Sequence, residues 1–357
     1  MNLTEQIDYN QLLNRKPIST DVKAIKKFIK GKRILVTGGA GSIGSEIVRQ
    51  LVKFGASTVT VFDNAEASMF HLEQEISRTY PNSHIKYVMG DVRDKYRLEE
   101  VFDSFKPNIV FHAAAYKHVP MMESNPIEAI KTNVLGTMNV SNIAYMNEVE
   151  KFVMVSTDKA VNPTNIMGAT KRIAELYTQF LETKSATNFI VTRFGNVLGS
   201  EGSVIPTFIK QIERGGPVSV THKEVIRYFM TIPEACQLVL QAGVLGKGGE
   251  VFLFDMGEPV SINDLAKNLI KLFKSKAKIE YIGLRPGEKL YEELLCDGEN
   301  MGTTEDHHIM KLNHIDYDFK SLIPKIEKLS KIRSNDFYKI LLLVKSIVPE
   351  FKRESND

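Results

Sequence analysis

From residue 33 onward the chain alternates between two hydrophobic periods. Short, nearly continuous apolar runs rich in β-branched residues cover 33–37, 57–62, 84–89, 108–112, 151–156 and 188–194. Between them, 42–54, 66–80, 126–147 and 165–184 space their apolar residues three and four apart. The first pattern predicts strands buried on both faces, and the second predicts amphipathic helices. Strands alternating with helices form a parallel sheet covered on both sides, and right-handed crossovers make it doubly wound. The predicted fold class is α/β: a doubly wound parallel (Rossmann) sheet with a smaller C-terminal α/β substrate domain. Ligands are expected beyond the carboxyl ends of the strands.

After Arg193 the pattern breaks up. Gly195, Gly199, Gly202, Gly215, Gly216 and Pro217 interrupt it, and the later elements are shorter. The expected organisation is an N-terminal arm over 1–30, a sheet domain over 31–195 and about 228–257, and a second domain over about 196–227 and 258–357. Residues 232–245 and 250–254 are expected to return to the main sheet.

Composition narrows the function classes. In 357 residues, 43% are hydrophobic and 25% charged, as in an ordinary globular protein large enough for a sizeable core. A net charge of +3 from scattered lysines and arginines suits phosphate-bearing ligands but gives no footprint for nucleic acid. No run reaches the roughly 18–20 apolar residues of a membrane helix, and residues 1–30 are too charged for a signal-peptide core. No membrane partner is expected, and a cytoplasmic location follows as the default. Cys236 and Cys296 are too few for a disulfide framework or a zinc site, so no metal is expected and both are read as small core residues.

The first candidate site is Thr37-Gly38-Gly39-Ala40-Gly41-Ser42-Ile43-Gly44, directly after the strand at 33–37. Gly38 permits a tight turn, Gly41 lets backbone approach a pyrophosphate, and Gly44 permits close packing of helix on sheet. The free N–H groups at the helix start, at Ser42 and Ile43, favour phosphate. Asp63 ends the second strand about 20 residues on, where an acid hydrogen-bonds the adenosine ribose and disfavours a 2′-phosphate. NAD, rather than NADP, is the expected cofactor.

The Gly-x-x-Gly-x-x-Gly spacing resembles the extended short-chain dehydrogenase/reductase superfamily. The resemblance brings in Gly90-Asp91-Val92, where Asp91 would meet the adenine amino group or else serve as a turn acid at a helix start. It also brings in His112-Ala113-Ala114-Ala115, whose small side chains let backbone pass the cofactor, and Thr132-Asn133-Val134 on the next long helix. Asn133 is expected at the cofactor. His112 is read as a structural histidine in preference to a catalyst.

The most informative stretch is Val155-Ser156-Thr157-Asp158-Lys159-Ala160, followed by Met167-Gly168-Ala169-Thr170-Lys171 at a helix start. In this superfamily the second stretch normally reads Tyr-x-x-x-Lys, a spacing that sets both side chains on one helix face. Lys171 stands where the family's lysine binds the nicotinamide ribose. Met167 stands in place of the acid/base tyrosine and cannot transfer a proton. In dTDP-glucose 4,6-dehydratases the equivalent strand end reads Thr-Asp-Glu, whose acids eliminate water across C5 and C6; here it reads Thr157-Asp158-Lys159.

Together with Pro163-Thr164-Asn165, these stretches resemble bacterial UDP-N-acetylglucosamine 4,6-dehydratases of surface-glycan synthesis, on the branch without the tyrosine. Leu12–Ile18 in the arm, Tyr116–Pro120 and Arg193–Val197 match as well. Many relatives carry membrane helices ahead of the arm; this sequence starts at the arm, and a soluble short form is expected. The resemblance also implies Asp158 as acid and Lys159 as base; burial beside the positively charged nicotinamide would lower the amine's affinity for its proton, while attraction to Asp158 opposes this by favouring the ion pair. The group that deprotonates the C4 hydroxyl stays open between Thr157, through a water, and Lys171.

Arg227 and Arg285 would meet the diphosphate of a UDP-sugar, Glu288 the uridine ribose, and Asn196 the diphosphate or sugar at the domain seam. Lys117 would line the sugar pocket, or lie in an ordinary loop. Lys210 would touch the nucleotide, or be a solvated lysine. A homo-oligomer is expected. The rivals are a C5-inverting dehydratase, a 4-epimerase (which needs the tyrosine) and a non-catalytic NAD-binding sensor.

Overall fold

The computed structural model describes residues 18, 20–295, 299–313, 316–333 and 336–353. Six strands fall within a residue or two of the apolar runs: β1 (Arg33–Thr37), β2 (Thr58–Asp63), β3 (Ile85–Met89), β4 (Ile109–His112), β5 (Lys151–Val155) and β6 (Asn188–Arg193). They are followed by β7 (Asn196–Leu198), β8 (Val218–Val220), β9 (Ile226–Arg227), β10 (Phe229–Thr231), β11 (Val251–Phe254), β12 (Val260–Ser261), β13 (Ile279–Tyr281), β14 (Met301–Thr303) and β15 (Ile309–Leu312). Among the described residues the main sheet has nine strands in the order β14-β15-β11-β6-β5-β4-β1-β2-β3. The seven from β11 to β3 pair in parallel, while β15 and β14 add antiparallel at one edge.

The strands are apolar throughout because both faces are covered. Ile34 and Val36 point into one core, shared with α1 (Val22–Ile29), α2 (Ser42–Lys53), α3 (Glu66–Thr79) and, later in the chain, the helix Ile232–Leu245. Leu35, Phe152 and Met154 point into the other. That core is shared with α4 (Lys95–Phe105), the short α5 (Val119–Ser124), α6 (126–146, π-helical over Ile130–Gly136) and α7 (Ile166–Glu182). A third core holds α8 (Val204–Glu213), β8, Phe229 and α10 (Ile262–Leu272), with α9 (Ile232–Leu245) between them in sequence. Three two-stranded sheets, β7–β10, β8–β13 and β9–β12, complete this second lobe and its seam.

Two expected boundaries are corrected. Residues beyond 300 were expected in the second domain, but β14 and β15 join the main sheet, and β15 covers the backbone edge that β11 would otherwise leave unpaired. Helices α11 (Phe319–Ser330) and α12 (Phe337–Ile347) bury Ile326, Leu329, Ile340 and Val344 in the same core as Phe102 and Phe152. The arm over 1–30 likewise does not stand apart at its end: α1 buries Ile25 and Ile29 against the first core, and the Ile18 N–H donates to Glu234 Oε1 at 2.9 Å. Residues 12–17 of the arm and Cys296 lie outside the described residues. Cys236 is buried, as expected. Among the described residues no helix is long and apolar enough to cross a membrane.

Candidate active site

The glycine-rich turn leaves β1 and enters α2 at Gly41, which caps the helix without any side-chain hydrogen bond. The N–H groups of the first turn therefore have no side-chain acceptor, the arrangement that suits an anion. Gly38 has φ +66°, and a Cβ there would lie 2.5 Å from the Ala114 nitrogen at the end of β4. A Cβ on Gly44 would lie 2.0 Å from the Gly38 carbonyl oxygen, so helix and turn touch backbone to backbone. Asp63 Oδ2 accepts from the Ala40 N–H at 2.9 Å, which joins the end of β2 to the turn.

Asp91 adjoins this end of the sheet, but its carboxylate is clamped by Arg93 at 2.5 Å and by Asn64 at 3.1 Å. Despite burial, the Arg93 guanidinium keeps its affinity for a proton below the ordinary value. Asp94, and not Asp91, caps α4. Val92 is buried beside it. His112 is fully buried between the Thr37 and Thr137 hydroxyls, at 2.7 and 2.9 Å, and burial lowers its pKa to about 3. It is a neutral structural histidine. Asn133, expected at the cofactor, is corrected. Fully buried in the π-helical stretch, it exchanges hydrogen bonds with the Tyr116 backbone at 2.8 and 3.0 Å and donates to Thr170. It positions the chain that leaves Ala113, Ala114 and Ala115.

At the end of β5, Thr157 starts a single 3-10 turn that aims Asp158 and Lys159 at the seam between the lobes. The Thr157 hydroxyl donates to Asp158 Oδ1 at 2.9 Å. Lys159 Nζ lies 3.1 Å from the same oxygen, 3.2 Å from Asn196 Oδ1 and 3.6 Å from Glu292 Oε1. Asp158 Oδ2 is buried with no hydrogen-bond partner among the described residues. Of the two opposing influences expected on Lys159, burial lowers its affinity for a proton, but Asp158, joined by Glu292, outweighs it, and the amine holds its proton above the ordinary lysine value.

Met167 is 3% exposed and belongs to the main core, so it packs where a tyrosine would need a proton path. Lys171 shares its helix face, donates to the Val155 carbonyl at 2.8 Å, and is brought down to about 8 by burial. Asn165 caps α7 through Gly168 and also donates to the Gly287 carbonyl, so the turn after β5 grips a loop of the second lobe.

On that lobe Arg285 is half exposed and Glu288 accepts from both its main-chain N–H and its Nε at 3.2 Å. Arg227, expected to meet the diphosphate, is 8% exposed. Its guanidinium donates to the carbonyls of Ile226, Lys289 and Leu290 and lies 3.5 and 3.4 Å from Glu288 and Glu292. It organises segment 285–292. Lys117 is exposed near the seam, where a loop of the second lobe packs so closely that a Cβ on Gly202 would lie 2.6 Å from the His118 ring. Burial lowers the pKa of His118, as do the charges of Lys117 and Arg285. The next residue back, Glu201, donates its N–H to Ser42 Oγ at 3.2 Å, joining this loop to the cofactor turn. Lys210 is exposed on α8.

Two groups were not singled out from the sequence. Glu292 follows the Arg285–Lys289 motif, and only the fold brings it to Lys159. Beneath Ser156 lies a buried ion network. Glu175 accepts from Ser156 and Arg193, and Arg193 also pairs with Glu299 at 2.9 Å. Arg172 joins it at 3.1 Å from Glu175.

Comparison with known proteins agrees with this arrangement. The family described as polysaccharide biosynthesis protein matches residues 34–314. The chain is 56% identical to the capsular polysaccharide biosynthesis protein CapD of Staphylococcus aureus, over 84% of this chain and 51% of that one. It is 52% identical to the probable polysaccharide biosynthesis protein EpsC of Bacillus subtilis, over 81% and 49%. The chain thus spans about half the length of these two relatives. Among solved structures, Pen from Bacillus thuringiensis is 39% identical with a TM-score of 0.75, over 80% of this chain and 90% of that one. By the family match over residues 34–314 and the identity to these relatives, the chain belongs to the polysaccharide biosynthesis protein family, on the extended short-chain dehydrogenase/reductase fold.

Proposed function

We propose that the protein is a UDP-N-acetylglucosamine 4,6-dehydratase that uses NAD and regenerates it in each turnover. The observation that carries this reading is the buried Asp158–Lys159 pair with one carboxyl oxygen left unpartnered, beside a helix whose acid/base position holds Met167. A buried polar atom without a partner is costly unless a ligand completes it. A sugar hydroxyl would do so. An epimerase needs no such pair and does need the missing tyrosine.

The residues that would hold NAD fit it: the uncapped start of α2 at Ser42 and Ile43 suits the pyrophosphate, and Asp63 suits the adenosine ribose. Bound NAD would supply the oxidation at C4 that acidifies the C5 proton and, once water has left, the same hydride for C6. Lys171, with its depressed pKa near 8, is the group matched to the C4 hydroxyl, because the Thr157 hydroxyl is committed to Asp158. Lys159 takes the C5 proton once it has released its own. Asp158, having taken up the proton that Lys159 releases, delivers it from Oδ2 to the C6 oxygen, and water leaves. Lys159 then returns a proton to C5 on the face from which it was taken. Arg285 and Glu288 grip the nucleotide from the second lobe.

Incubation with UDP-N-acetylglucosamine in D₂O, followed by NMR, tests the reading. The expected product is UDP-2-acetamido-2,6-dideoxy-α-D-xylo-hexos-4-ulose, with deuterium at C5, the former C4 hydrogen in the C6 methyl, and no net NADH. Accumulating NADH or a 4-epimer would overturn the dehydratase reading. An L-arabino product would overturn the single-base role of Lys159.

A further inference from the structure

We propose that Glu292 is a positioning residue for Lys159: from the second lobe it supplies the third anchor of the ammonium, so the amine becomes a base only when that contact is given up. The inference rests on the reading of Lys159 as the base. An ammonium has three N–H donors and no acceptor. Here Asp158 and Asn196 take two hydrogen bonds, and Glu292 adds an ion pair at 3.6 Å. The Glu292 side chain is 5% exposed, so water screens this pair little. In this arrangement Lys159 has no lone pair to offer.

Glu292 also ties the base to the nucleotide grip. Its Oε1 lies 3.4 Å from Arg227 Nε, and Arg227 holds Glu288 at 3.5 Å and the carbonyls of Lys289 and Leu290. Segment 285–292 is therefore one unit, running from the exposed guanidinium of Arg285 to the carboxylate at Lys159. A UDP-sugar whose diphosphate draws Arg285 and whose ribose draws Glu288 displaces the same unit that holds the amine. The charged groups around Lys159 are Asp158 and Glu292, which favour the ammonium, and Arg227, which opposes it. Removing the Glu292 charge leaves Arg227 in place, so the amine is free at lower pH.

The test is the pH dependence of kcat/KM for dehydration by the full chain. Glu292→Gln should move the ascending limb to lower pH, and Glu292→Asp, which retracts the charge by one methylene, should move it less in the same direction. Glu293→Gln, a half-exposed neighbour paired with Lys289, should leave it where it is. An unmoved limb in both Glu292 variants, or an equal shift in Glu293→Gln, would overturn the proposal. If the wild type yields no dehydrated sugar, the function reading fails first. NMR titration of ¹⁵N-lysine-labelled protein then still decides: Lys159 must lose its proton at lower pH in Glu292→Gln than in the wild type, and equal titrations would sink the idea.

Discussion

Two buried ion clusters sit side by side at the ends of β5 and β6, and they are finished to different degrees. In the first, both oxygens of Glu175 are used: Oε1 accepts from Ser156 and Arg193, and Oε2 from Arg193 and Arg172. Burial alone would raise its pKa, but Arg193 and Arg172 reverse the direction, and it stays ionised. In the second, Asp158 Oδ1 serves Thr157 and Lys159 while Oδ2 serves nothing. A fully satisfied network rigidifies its surroundings, whereas an incomplete one keeps a polar atom in reserve. The first cluster is thus framework for the second, with Ser156 as the link between them.

The comparison can be broken from either side. Asp158→Asn or Lys159→Ala should lower kcat by ~10²–10⁴, the usual worth of a positioned acid or base, whatever each also costs in stability. Near-normal turnover in either variant would remove the second cluster from the chemistry. For Arg193→Ala the diagnostic readout is stability. Removing one partner from a buried pair costs about 3–5 kcal/mol, read as a lower urea midpoint, and a midpoint near that of the wild type would show the first cluster to be dispensable.

His112 offers the smallest test, as a third buried polar group that is satisfied yet neutral. The unfolded chain binds its proton below about pH 6.5, whereas the native chain does not until about 3. Stability should therefore fall as pH drops through that window, by up to ~1.4 kcal/mol per pH unit from this residue. His112→Gln should show a shallower slope, measured as unfolding free energy against pH, and identical slopes would show that the ring is not held neutral.

The parallel strands were legible because burial on both faces writes them as unbroken apolar runs. Strands β14 and β15 were not, being three and four residues long, and the apolar stripes of α11 and α12 name no particular partner. In the site, Thr157, Asp158, Lys159, Met167 and Lys171 were legible because neighbours in sequence share one strand end and one helix face. Glu292 was not, because its partner is set by how two lobes meet. Arg227 was legible as an important guanidinium but not as a satisfied one, since the carbonyls that absorb its donors belong to a loop more than sixty residues on. Asn133 carried a family motif, yet the π-helical turn points it at the Tyr116 backbone.

The path of the chain through the main sheet bears on how the protein is made. One edge of that sheet and two helices of one face come from residues 301–347, after the whole second lobe has been traversed. A ribosome releasing the chain in order exposes β11 and the α6–α7 face well before β15, α11 and α12 exist to cover them. The second lobe, with its own core, can close early, while the dinucleotide-type sheet waits with an open strand edge. Long-range pairings of this kind form slowly and leave partly built chains prone to association. Synthesis stalled or truncated before residue 312 should therefore yield aggregates, not a smaller working protein.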